Sequence, residues 1–60
     1  MSEEEIMGIL DEMETHYEEL SVKAEKEGKE RTADRWEMTS YACRRLKMRI
    51  HTVFKNRATE

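Results

Sequence analysis

The chain has 60 residues, 42% charged and 37% hydrophobic, with no proline, two glycines, one cysteine and a net charge of −3. That length supports one domain, 1–60, and the lone Cys43 excludes an intramolecular disulfide or a cysteine-rich zinc site. No run approaches the roughly 20 apolar residues of a membrane span, the acidic start is wrong for a signal peptide, and hairpin-turn pairs such as Asn-Gly are absent, so a cytoplasmic all-α protein is expected.

The first predicted element opens on a capping box, Ser2 with Glu5 three residues on. Glu3, Glu4 and Glu5 complement the positive end of a helix dipole. Ile6, Leu10, Met13, Tyr17, Leu20 and Ala24 then alternate at spacings of four and three, an a/d heptad seam that predicts a helix over about 3–27. Gly28 takes a left-handed conformation without steric cost, and it places the end of this helix in a polar turn at about 28–31.

The second predicted helix starts between Glu30 and Ala33, with Thr32 a candidate cap, and runs over about 32–57. Its seam reads Trp36, Thr39, Cys43, Leu46, Ile50 and Val53, and Lys55 and Arg57 suit its negative carboxyl end. Two amphipathic helices joined by a short turn predict an antiparallel hairpin. Pairing the seams requires residue numbers with a constant sum, and sums of 63 (Leu20–Cys43, Leu10–Val53) and 56 (Leu20–Trp36, Leu10–Leu46) both qualify. The first leaves more room for the turn and is preferred. A chain this short buries only about 60% of the surface its unfolded form exposes, so the seam is expected to be completed by a second copy in a dimeric four-helix bundle.

Charge is divided between the helices. Residues 1–28 hold ten acids and two bases, and residues 29–60 hold four acids and nine bases. From Met38 to Thr59 there is no acid. Arg44, Arg45, Lys47, Arg49 and Lys55 therefore form a candidate nucleic-acid face. The simpler reading is that the acidic helix lies beside the basic one and selects it as its neighbour. Off the seam, Met38, Tyr41, Arg45 and Met48 fall on the far side of the second helix, and these are residue types enriched in protein interfaces. They form a candidate partner surface, and the simpler reading is that this wider apolar face serves the dimer itself. On the first helix Met7 and Ile9 flank the seam, and Gly8 leaves room for another backbone.

No catalytic or cofactor constellation emerges. His16 has Glu12 and Glu19 at helical spacing, but Met13 stands where a Glu-x-x-His metal pair would need its glutamate. Cys43 and His51 are eight residues apart on one helix, about 12 Å along its axis, too far for a nucleophile and its base. Neither a phosphate loop nor a nucleophile elbow occurs. The expectation is a non-enzyme without metal or cofactor. Membrane-surface binding by the basic helix is opposed by the acidic one.

The hairpin architecture resembles that of the plasmid repressor-of-primer proteins, dimeric two-helix RNA-binding regulators. The segments Ala24-Glu25-Lys26-Glu27-Gly28, Ala33-Asp34-Arg35-Trp36-Glu37 and Ser40-Tyr41-Ala42-Cys43-Arg44-Arg45 resemble the small early-region proteins of lambdoid phages, encoded between the exonuclease and excisionase genes. That resemblance implies a phage-encoded protein of the bacterial cytoplasm that influences host physiology or the lysis–lysogeny decision. The resulting expectation is a homodimeric regulator that binds a host or phage protein. The alternative is an RNA- or DNA-binding regulator.

Overall fold

The computed structural model describes residues 1–59. Over these the chain forms two helices, α1 (Glu3–Lys26) and α2 (Glu30–Thr59), packed as an antiparallel hairpin without strands. Its extents are 50 × 16 × 10 Å, a rod one helix thick in its narrowest direction.

Local chemistry sets the helix ends. Ser2 Oγ accepts from the Glu5 amide at 3.2 Å, and Glu5 Oε1 accepts from the Ser2 amide at 3.5 Å, completing the expected capping box. At the other end of α1, Gly28 has φ +77°. The Gly28 amide donates to Glu25 O at 3.0 Å and the Lys29 amide to Ala24 O at 2.9 Å, which is a complete Schellman closure. This closure reverses the chain within Glu27–Lys29. The second helix consequently begins at Glu30, two residues before the expected 32, with Ala33 N donating to Lys29 O at 2.9 Å. Thr32 lies inside its first turn instead of capping it.

The early restart also sets the register. Ser21 Oγ donates to Ala33 O at 2.9 Å, Ser40 Oγ approaches Glu14 O at 3.3 Å, and His51 Nδ1 lies 2.8 Å from Glu3 Oε1. Tyr17 and Trp36 stack at 5.5 Å with their planes 8° apart. Residue numbers in these contacts sum to 53 or 54, close to twice the number of Gly28. The preferred sum of 63 is therefore corrected: it requires a turn centred near residue 31 or 32, where the chain is already helical.

The row between the helices is built from small and polar side chains. Leu10, Glu14 and Ala24 on α1 and Ala33, Ser40 and Cys43 on α2 are buried. No large side chain among the described residues is fully buried. The hairpin holds its helices together tightly and covers little apolar surface in doing so.

Candidate interaction surface

Two unlike faces flank the row between the helices. On one, α1 presents Asp11, Glu14 and Glu18 and α2 presents Arg44, Lys47 and His51. Lys47 Nζ donates to Asp11 and reaches both Glu14 carboxylate oxygens, at 3.2 and 3.3 Å. Arg44 lies 3.5 Å from Glu14 and 3.6 Å from Glu18, and Ser40 Oγ is 3.3 Å from Glu18. Glu14 is thus a carboxylate only 8% exposed, held by two cations of the other helix. Hydrogen bonds to Asp11, then to Glu14, raise the Lys47 ammonium above its ordinary value.

The other face is apolar. At about 100° per residue, the middle of the expected seam lies roughly 50–60° around each helix from the direction of its hairpin neighbour. Because the helices are antiparallel and both stripes rotate in the same sense, the two stripes emerge on the same side of the rod. Met13 is 39% exposed, Ile9 47% and Leu46 51%. Ile6, Tyr17, Leu20, Trp36, Thr39, Ile50 and Val53 are half-buried along the same side. Leu10 and Cys43 are the seam members, besides Ala24, that the hairpin itself buries.

Met38, Tyr41, Arg45 and Met48 are all exposed on α2, with the two methionines at 68%. Met48 also lines an open groove with Met7, Asp11, Arg44, Lys47 and His51. The basic residues divide by position. Arg44 and Lys47 are spent on α1 carboxylates, whereas Arg45, Arg49 and Lys55 make no ion pair among the described residues. Two of the five members of the candidate nucleic-acid face thus bind the acidic helix.

Sequence reasoning passed over the residues that carry the hairpin contact, namely Glu14, Ser21, Ser40 and Ala33. Their signal is a second seven-residue repeat, Met7, Glu14 and Ser21 against Ala33, Ser40 and Lys47, beside the more conspicuous apolar one. Among the described residues no three His, Cys, Asp or Glu side chains converge as metal ligands, and no helix is long and apolar enough to cross a membrane. His16 is exposed beside the Tyr17 ring, at 5.7 Å. No family model, curated protein or solved structure matches the chain.

Proposed function

We propose that this chain is a non-catalytic regulatory protein that acts by association. It dimerises through its apolar face into a four-helix bundle and presents Tyr41, Arg45 and Met48 to a second protein. The observation that carries the reading is the offset of the apolar stripe. A side chain aimed at the centre of a square four-helix bundle points about 45° from the direction of its neighbour, close to the offset described above. A stripe serving only the hairpin would face that neighbour directly. The phage resemblance supports a site of action in the bacterial cytoplasm and a host or phage protein as the partner.

Light scattering at micromolar concentration tests the assembly, with a dimer expected and a folded monomer fatal to the reading. Capture from host lysate, with and without nuclease, tests the partner. Nuclease-resistant recovery of one protein, lost in Tyr41→Ala/Met48→Ala while the dimer persists, is the expected result.

A second reading, nucleic-acid binding through Arg45, Arg49 and Lys55, is supported by the absence of ion pairs at these three among the described residues. It predicts binding that weakens steeply with salt. No mobility shift of RNA or DNA at low salt would remove it.

A further inference from the structure

A dimer formed on the apolar face has two symmetric solutions, and they differ in which helix lies against which. With the two-fold axis parallel to the helices, α1 of each copy lies on α2 of the other. With the axis in the plane of the face and across the helices, α1 lies on α1 and α2 on α2. The edges bordering the face distinguish them. Along the α1 edge stand Glu5, Glu12 and Glu19, with the bases Lys23 and Lys26 near its end. Along the α2 edge stand Arg31, Arg35 and Arg49. None of these three arginines is ion-paired among the described residues, and neither are Glu12 and Glu19. The charges that hold the hairpin together lie on the opposite face.

We infer that a second copy of this chain covers the apolar face with its two-fold axis parallel to the helices, so that the acidic edge of each α1 meets the arginine edge of the other copy's α2. The inference rests on the dimer reading above and adds its topology. Rotation about an axis parallel to the helices preserves height, so residues meet across the dimer at the same number sum as within the hairpin. Glu5 then stands level with Arg49 and Glu19 with Arg35, both at a sum of 54. Lys23 against Arg31 is the one like-charged level. The crossed arrangement instead sets glutamates against glutamates and arginines against arginines along the whole interface, which opposes association.

Charge reversal separates the two arrangements. Glu12→Arg/Glu19→Arg and Arg35→Glu/Arg49→Glu are each expected to weaken the dimer by at least about tenfold in sedimentation at low salt, and the four changes together to restore it to within about threefold. Unchanged or strengthened dimers in either double variant would overturn the topology. Disulfide trapping supplies a second reading in a Cys43→Ala background, where chains carrying Glu12→Cys are mixed with chains carrying Ala42→Cys, the position level with it at a sum of 54. The mixed disulfide is expected to dominate. Dimers joined 12 to 12 and 42 to 42 overturn the parallel axis and leave the dimer standing. A wild-type chain that stays monomeric up to millimolar concentration overturns both.

Discussion

Glu14 lies under the opposing helix, where Lys47 and Arg44 reach its carboxylate and Ser40 Oγ approaches its backbone carbonyl. A buried carboxylate of this kind stabilises only while its partners stay. Lys47→Met is therefore expected to lower the thermal midpoint followed by circular dichroism. Glu14→Leu in the same chain is expected to recover it, since an apolar pair replaces a broken ionic one. The pH dependence has a definite sign. Asp11 and Glu14 raise Lys47 above its ordinary value of 10.5, so this contribution is complete below that pH and is lost as pH rises through the folded value. Wild type should lose stability in that alkaline window, and Lys47→Met should lose less. Glu27 behaves oppositely: a hydrogen bond from Lys29 lowers it, so its contribution is present above 4.5 and lost as pH falls through the folded value. The excess of bases on the second helix was legible in the sequence, but which of them are spent on α1 was not. That depends on register, and register follows from where the turn is centred.

The two glycines invert the usual rule at the level of elements. Gly8 sits within α1 with open space where a Cβ would stand, so Gly8→Ala is expected to stabilise the fold by about 0.5–1 kcal/mol. Gly28 also has open space, but its φ of +77° penalises any side chain, and Gly28→Ala is expected to cost about 1–2 kcal/mol. Urea denaturation of the two variants checks both signs. The first helix was readable almost to the residue, because a capping box and a glycine bracket one clean period. The start of the second was readable only as a window, Glu30 to Ala33, and it falls on the first residue of that window. Nothing between Glu30 and Ala33 competes with the Schellman closure, so geometry at Gly28, not a capping side chain at Thr32, decides where α2 begins.

At the scale of the whole molecule, the apolar seam was legible as a pattern, but its direction was not. A heptad read from sequence states which residues share a stripe and leaves open whether that stripe faces one neighbour or the middle of four helices. Leu10 and Leu46 sit on opposite sides of that distinction, the first buried by the hairpin and the second half exposed. Leu10→Asp is expected to abolish helical structure, at a cost of about 3 kcal/mol or more. Leu46→Asp is expected to raise the dissociation constant of the dimer by roughly 100-fold while helical hairpins remain at high concentration. Equal loss of helical signal in both variants would contradict the proposed division of the seam.

The short Glu27–Lys29 link also orders how the chain comes together in time. Contacts between the helices span 12 residues at Ser21–Ala33, 26 at Glu14–Ser40, 36 at Asp11–Lys47 and 48 at Glu3–His51. Each doubling of a closed loop costs about 0.6 kcal/mol more entropy, so the hairpin is expected to zip from the turn towards its open end and to open in the reverse order. Amide hydrogen exchange is expected to record that gradient as protection near Ala24 and Ala33 that outlasts protection near Ile6 and Ile50.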